Sequence, residues 1–204
     1  LVVGLIVLGL FWTPYSANAM DFSRLLPPSA AHPMGTDKFG RDILSRVMVG
    51  AGDTLLIALG TVAIGTVVGT LVGALTGWYG GWVDEVLMRL NDALASFPSI
   101  LILLVLVSLL GGGREHMTLA LGIVFVPSYA RIVRSEFARA RTQNYVHSAE
   151  LMGASTARIL FVHILPNIWH TLVSAITIGF NNAVLAEAAM SYLSIGVSPD
   201  EASL

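Results

Sequence analysis

Long uncharged apolar runs, separated by short polar stretches, dominate the chain and predict membrane-spanning helices. The clearest run, residues 54–78, is 25 residues long and carries no charged side chain. At 1.5 Å per residue it reaches about 37 Å, more than the roughly 30 Å of hydrocarbon in a bilayer. Further spans are predicted at 86–110, 117–133 and 167–194, and the Phe97-Pro98 step is expected to kink the first of these or to begin its deep section.

The segments between these spans divide the chain into soluble pieces. Residues 1–12 are apolar but too short to cross, and we interpret them as the end of a first transmembrane helix. Residues 13–53 form a polar segment with an interfacial helix, 54–194 form the membrane core, and 195–204 begin a further polar loop. We therefore expect the native chain to continue at both ends.

Composition agrees with an all-α, multi-pass membrane protein. Hydrophobic residues make up 55% of the chain and charged residues 12%, with a mean hydropathy of +0.76. The net charge of -2 and a pI near 6.2 argue against nucleic-acid binding, which requires a basic surface. The chain has no cysteine, which excludes disulfides and thiolate metal sites.

Arginines concentrate around the stretch between the third and fourth spans: Arg131, Arg134, Arg139, Arg141 and Arg158. Short loops rich in arginine and lysine stay in the cytoplasm. Residues 135–166 are therefore expected inside the cell. Counting spans backwards places residues 13–53 outside.

The stretch at 144–166 has the pattern of two short helices joined by a turn. Asn144 is a plausible N-cap for a helix over 145–152, Gly153 a terminator, and Ser155 a second N-cap for a helix over 155–164. Pro166 then begins the next span. The second helix is mostly apolar, so it must be buried against its own bundle, the membrane interface or a partner.

Several residues of this stretch resemble the cytoplasmic coupling loop of ABC importer permeases: Tyr145, Val146, Ala149, Gly153, Ala154, Leu165, Pro166 and Asn167. The resemblance implies that the loop docks onto a separate ATPase subunit, which binds ATP and Mg. The family loop usually begins Glu-Ala-Ala, where this chain has His147-Ser148-Ala149. The carboxylate is therefore missing at the aligned position, and Glu150 is expected to point about 100° further round the helix, so an inherited acid contact to the ATPase is not predicted and a replacement by His147 stays open.

A second motif, at residues 32–46, resembles the segment before the second span in permeases for dipeptides, oligopeptides and nickel. Its characteristic residues are Gly35, Thr36, Asp37, Gly40, Arg41, Asp42 and Arg46. We expect a turn followed by an interfacial helix, which caps the pore mouth or holds a partner permease. A plain surface helix is the alternative.

Four glycines spaced four residues apart, Gly65, Gly69, Gly73 and Gly77, form a small-residue face typical of close helix packing, with a role in lining the pathway as the alternative. Glu187 is the one acid in the last span. It is a candidate for the translocation pathway, and an interfacial, water-exposed acid is the alternative. The five histidines are interpreted as structural or capping residues, so no metal site is predicted.

Energy must come from elsewhere, since the only lysine, Lys38, has no P-loop around it. We therefore predict a non-enzymatic permease subunit of an ATP-driven importer in the bacterial inner membrane, without a cofactor of its own. The resemblance implies four kinds of partner: a second permease subunit, two ATPase subunits, an extracytoplasmic solute-binding protein and the bilayer. Small peptides are the expected solute, with nickel or a metal chelate as the alternative. A secondary transporter driven by an ion gradient is the rival, disfavoured because the spans hold few ionisable residues.

Overall fold

The computed structural model describes residues 12–193 together with Gly4, Leu8 and Gly9, so the predictions for the two ends of the chain fall almost wholly outside the described residues. Within residues 12–193, seven α-helices and one π-helical segment follow each other: α1 Ile43–Tyr79, α2 Gly81–Ala95, α3 Ser99–Leu110, α4 Arg114–Arg141, α5 Asn144–Leu151, α6 Thr156–Arg158, the π-helix Ile159–Ile164 and α7 Trp169–Tyr192. Helices α1, α4 and α7 are long and apolar enough to cross a membrane. The predicted all-α membrane fold is confirmed.

Helix α1 begins well before the uncharged run that predicted it. It starts at Ile43 instead of residue 54 and continues for 37 residues, or about 55 Å. Residues 43–53, expected in part as a separate interfacial helix, are the first turns of α1. The early start follows from Asp42, whose carboxylate accepts a 2.8 Å hydrogen bond from the Ser45 amide, the geometry of a helix N-cap.

The second predicted span is not one helix. Helices α2 and α3 are bent by 90° at the break around Pro98. Proline disfavours helical geometry in the residue before it and has no amide hydrogen to continue the ladder. The expected kink is therefore a complete break, and α2 and α3 are separate helices.

The chain divides into two compact units. One contains the described parts of Leu1–Leu59, Val107–Thr118 and Val184–Leu204; the other contains Gly60–Leu106 and Leu119–Ala183. The second unit holds a buried hydrophobic cluster that gathers side chains from several helices: Ala74, Val133, Phe137, Ala140, Val146, Ala149, Ile159, Leu160, Ile164, Ile168 and Leu172. This cluster positions the helical loop, the name used here for residues 142–168.

The glycine face of α1 lies against α4 within the second unit. A Cβ atom at Gly69 would stand 2.5 Å from the Tyr129 Cβ, and one at Gly73 would stand 2.6 Å from the Ala130 carbonyl oxygen. At Gly77 the Arg134 carbonyl oxygen would be 2.6 Å away. Only hydrogen fits at these positions, so the two backbones approach as closely as small residues allow.

Candidate functional site

The helical loop begins with α5, which lacks the predicted side-chain cap. Asn144 is the first residue of the helix, and Gln143 precedes it in an extended conformation without a capping side-chain hydrogen bond. The Gln143 carbonyl accepts from the amides of Val146 at 3.0 Å and His147 at 3.3 Å. The N-cap prediction for Asn144 was wrong by one residue, and it was also wrong in its chemistry.

Gly153 ends α5 in a left-handed conformation with φ of 79°. Its amide donates to the Glu150 carbonyl at 2.9 Å, and the Ala154 amide donates to the Ala149 carbonyl at 3.0 Å. These two bonds form a Schellman motif, which satisfies the last carbonyls of the helix. A Cβ atom at Gly153 would meet nothing within 4 Å, so the requirement for glycine lies in the backbone and not in steric contact.

The second helix of the loop differs from the predicted α-helix over 155–164. Ser155 does precede it, but without a capping side-chain bond, and only three residues are α-helical before the chain widens into the π-helix. The Leu165 amide donates to the Leu160 carbonyl at 2.9 Å, a bond that spans five residues. Short π-helical stretches are uncommon and frequent at functional sites.

Burial decides where the apolar face of this second helix goes. Ile159, Leu160 and Ile164 are at most 4% exposed and belong to the hydrophobic cluster with Val133 and Phe137 of α4. These three side chains pack against the protein's own bundle, whereas Phe161 and Val162 of the same helix are 46% and 58% exposed. The loop is therefore held to the membrane helices as a rigid body and not as a flexible connection.

The tip of the loop presents two apolar side chains to the outside. Leu151 is 89% exposed and Met152 is 81% exposed. Sequence reasoning missed both residues, although their place directly before the terminating Gly153 could have indicated them. Large apolar side chains this exposed are typical of surfaces that bind a partner.

The other motif residues of the loop lie around this tip and its base. Tyr145, Ala154 and Leu165 pack against the edge of the hydrophobic cluster, while Pro166 is exposed. Tyr145 also lines a cavity of about 180 Å³ at the base of the loop, together with Arg139.

Glu150 does not point away from His147 as predicted. The His147 Nδ1 atom lies 3.4 Å from the Glu150 carboxylate, and both side chains are exposed. Residues three apart on a helix share a face. The Glu150 carboxylate therefore lies beside His147 on one exposed face of α5.

The motif at residues 32–46 forms a compact turn structure that ends in the N-terminus of α1. Gly35 and Gly40 adopt φ values of 76° and 81°. A Cβ atom would overlap the Leu26 carbonyl oxygen at the first position and the Phe22 carbonyl oxygen at the second. Thr36 closes the turn, because its hydroxyl donates to the Ser23 carbonyl at 2.7 Å and accepts from the Leu26 amide at 2.9 Å.

Asp37 holds the next turn of the same motif. Its carboxylate accepts from the Phe39 and Arg41 amides at 2.8 and 2.9 Å and from the Arg41 guanidinium at 2.7 Å. Burial alone would raise the pKa of Asp37, but these hydrogen bonds outweigh it and hold the pKa below the usual value. Arg46 reaches the Ala17 carbonyl at 3.5 Å.

Asp42 connects the turn structure to α1. One oxygen accepts from the Ser45 amide and hydroxyl, and the other lies 2.9 Å from the His32 Nδ1 atom, with both partners buried. Burial would raise the pKa of Asp42, but the hydrogen bonds from Ser45 and His32 outweigh it and keep the pKa below its ordinary value. His32 packs against the rings of Tyr15 and Phe22, which fits its predicted structural role.

Glu187 is buried and not water-exposed, which removes the interfacial alternative. Its side chain is fully buried, and one oxygen accepts a 2.8 Å hydrogen bond from the Thr54 hydroxyl. The other oxygen has no partner among the described residues. In the same unit Asp53 pairs with Arg114 at 2.7 Å. Within residues 12–193, no group of three or more potential ligands could hold a metal ion.

A family of membrane proteins accounts for this arrangement of spans and loop. Residues 69–203 match the model of the binding-protein-dependent transport system inner membrane component. The chain belongs to this family. Its location in the inner membrane, predicted from the spans and the resemblance, is confirmed.

Relatives of this permease chain carry names of transport systems. It is 40% identical over 180 residues to a putative peptide transport system permease protein of Brucella suis, covering 88% of this chain and 60% of that relative. It is 41% identical over 203 residues to a glutathione transport system permease protein of Salmonella typhimurium, covering 97% and 67%. With a probable D,D-dipeptide transport system permease protein of Escherichia coli it shares 36% over 206 residues, covering 98% and 69%. The chain thus spans 60% to 69% of the length of these relatives.

Two ion pairs join α2 of the permease chain to α4 within the second unit. Arg134 binds both carboxylate oxygens of Asp84 at 2.5 Å, and Arg131 lies 3.3 Å from Asp92. Arg131 and Arg134 belong to the arginine-rich stretch that predicted the orientation. Part of that positive charge is therefore paired within the chain.

Proposed function

We propose that this chain is the membrane-spanning permease subunit of an ATP-driven importer of small peptides. It forms half of the translocation pathway, and a second permease subunit supplies the other half. The family's dependence on a binding protein supports an extracytoplasmic solute-binding partner. The names of the relatives, which concern peptides, glutathione and dipeptides, support a peptide-sized solute.

The helical loop is the observation that carries this proposal. Its inner side chains, among them Val146, Ile159 and Ile164, are buried in one cluster with residues of the membrane helices. Its tip exposes Leu151 and Met152 to a partner. A segment that is rigid at its base and apolar at its tip transmits movement between a partner and the spans, which a flexible linker does not do.

The partner at this tip is a separate ATPase, on the cytoplasmic side. This chain carries no P-loop around its single lysine, so ATP and Mg are bound by two partner subunits. The exposed His147 and Glu150 pair stands next to the tip on α5 and supplies a polar contact beside the apolar one. An importer driven by an ion gradient would leave this apolar tip without a partner.

Replacement of Gly153 directly tests whether the helical loop transmits movement. Valine at a left-handed position costs about 1–2 kcal/mol or more, whereas asparagine tolerates this conformation. A Cβ atom added at Gly153 meets nothing within 4 Å, so the expected penalty comes from the backbone conformation. We expect Gly153→Val to redirect the second helix, and Gly153→Asn to behave like the wild type.

The measurement is peptide uptake and ATP hydrolysis, side by side, by the full-length permease reconstituted with its partners. Gly153→Val is expected to lower uptake several-fold while the permease still inserts into the membrane. The ATPase subunits are expected either to be lost from the complex or to hydrolyse ATP without moving peptide. If Gly153→Val left uptake, hydrolysis and recovery of the complex at wild-type levels, the proposal that the helical loop transmits movement would be refuted.

A further inference from the structure

The middle of α7 carries polar side chains on a surface that its own chain leaves open. In the most apolar 18-residue window of α7 only 22% is buried, against 50% for α4. Asn181 and Asn182 are both exposed there, although no charged residue lies between Trp169 and Ala186. A side-chain amide without a hydrogen-bond partner is costly in hydrocarbon. This turn therefore faces protein or water and not lipid.

A cavity of about 110 Å³ lies next to Asn182, between α4 and α7 in the second unit. Ser128 and Asn182 provide its exposed polar side chains, while Phe125 and Ile178 are among its apolar walls. The Tyr129 side chain is buried and its hydroxyl lies beside the Thr66 side chain, so that hydroxyl is not open to the cavity. The polar groups that the cavity presents are therefore those of Ser128 and Asn182.

The two exposed polar residues of the cavity stand at the middle of their helices. Ser128 is the fifteenth of the 28 residues of α4, and Asn182 is the fourteenth of the 24 residues of α7. Gly179 makes this approach of the helices possible, because a Cβ atom there would overlap the Tyr129 hydroxyl. If both helices cross the bilayer, Asn182 lies near the middle of its span and Ser128 lies within one turn of Arg131, so the cavity is open between the midplane and the arginine-rich side, where exposed polar groups in a span are typically functional.

We propose that Asn182 and Ser128 form a neutral hydrogen-bonding subsite of the translocation pathway, which binds a main-chain amide of the passing peptide. An asparagine amide and a hydroxyl each donate and accept, as a peptide group does. The cavity holds a group of a few heavy atoms, so it fits one peptide unit and not a whole peptide. Because the subsite carries no charge, it does not select among charged side chains. The inference rests on the proposed import of peptides.

Cysteine accessibility tests whether the subsite faces the pathway, since the chain has no cysteine of its own. Asn182→Cys and Val173→Cys are compared in the full-length permease assembled with its partners. Val173 is 39% exposed and lies nine residues away, half a turn round α7. We expect a water-soluble methanethiosulfonate reagent to label Asn182→Cys and to leave Val173→Cys unlabelled. Labelling of Asn182→Cys is expected to be slower while trialanine is being transported.

An unreactive Asn182→Cys in a transporter that imports trialanine would overturn the subsite and leave the proposed function intact. A wild-type complex that imports no dipeptide or tripeptide with ATP would refute the proposed function itself. The two failures are therefore distinguishable in one set of preparations.

Adjacent asparagines supply the matched control for binding. Asn182→Ala is expected to lower trialanine uptake about tenfold, as for the loss of one well-placed hydrogen bond. Asn181→Ala removes the same group from a residue about 100° round the helix that does not line the cavity. It is expected to change uptake less than twofold. Equal losses in the two variants would contradict the assignment to Asn182.

Discussion

Replacing Gly73 by alanine tests a close backbone contact between α1 and α4 in the second unit. The added Cβ would lie 2.6 Å from the Ala130 carbonyl oxygen, about 0.8 Å inside the ordinary contact distance of 3.4 Å, and 2.7 Å from the Val133 Cβ. Neither atom can rotate away, because one belongs to the backbone and the other is fixed to it. Helices α1 and α4 must therefore separate, and overpacking of this kind costs about 1–3 kcal/mol.

A second glycine on the same face makes the prediction quantitative. A Cβ at Gly65 would lie 3.1 Å from side-chain atoms of Phe125 and Tyr129, only about 0.3 Å inside ordinary contact. Alanine in place of glycine also favours a helix by about 0.5–1 kcal/mol. This gain offsets the small strain at Gly65 but not the larger one at Gly73. We expect a net loss of roughly 1–2 kcal/mol for Gly73→Ala and a change below about 0.5 kcal/mol for Gly65→Ala.

The assay is thermal unfolding of the full-length permease in detergent, followed by fluorescence-detected size exclusion. A loss of this size lowers the apparent Tm by about 2–4 °C per kcal/mol. Gly73→Ala is therefore expected to melt about 2–8 °C below the wild type, and Gly65→Ala within about 2 °C of it. Equal shifts for the two variants, or a wild-type Tm for Gly73→Ala, would show that close backbone contact does not decide the stability of this face.

Three further predictions concern charge and topology. Asp42 has a pKa held below its ordinary value, so its contribution to stability is fully present above the unfolded pKa near 4 and is lost as the pH falls below that value. Limited proteolysis of residues 13–42 at a series of pH values measures this loss, and Asp42→Asn should weaken the pH dependence. The pair of Asp84 and Arg134 is partly exposed, so Asp84→Asn is expected to cost at most about 1 kcal/mol, and a double-mutant cycle with Arg134→Gln should show a coupling of the same size. An impermeant thiol reagent should label Ser29→Cys in intact cells and spare Thr142→Cys, and the reverse pattern would invert the proposed orientation.

Apolar runs predicted where the chain is hydrophobic but not where each helix begins. Residues 43–53 carry Arg46 and Asp53, so hydropathy assigned them to a soluble segment. The start of α1 depends on a capping bond of Asp42 and on the long-range contact of this residue with His32. The N-cap itself could be predicted from the sequence, because an aspartate precedes an apolar helical pattern. The contact of Asp42 with His32, which lies ten residues earlier, could not be predicted in this way.

The helical loop shows the same division between local and tertiary information. Gly153 indicated the end of a helix because a left-handed position leaves a local signature. The burial of Ile159 and Ile164 depends on Val133 and Phe137, which are distant in the sequence, so three destinations for that face stayed open. The π-helical geometry has no local signature of its own in these residues.

Glu187 illustrates a third kind of information. Its position near the end of a span was compatible with an exposed acid, and polar neighbours in the sequence supported that interpretation. Burial and the hydrogen bond from Thr54 arise from a residue 133 positions away. Such pairings are set by the packing of helices and not by the residues next to either partner.

The right-angled elbow between α2 and α3 constrains what can surround it in the membrane. At 1.5 Å per residue, the 15 residues of α2 measure about 22 Å and the 12 residues of α3 about 18 Å, so neither crosses roughly 30 Å of hydrocarbon alone. If this bent pair enters the bilayer as a broken span or a re-entrant segment, a helix terminus at the bend or at the inner end lies inside the nonpolar layer. The amide hydrogens or carbonyls that it leaves without intrahelical partners cannot face acyl chains. That terminus must be sealed by another protein surface or by a water-filled space, so the elbow marks a side of the subunit that lipid does not cover.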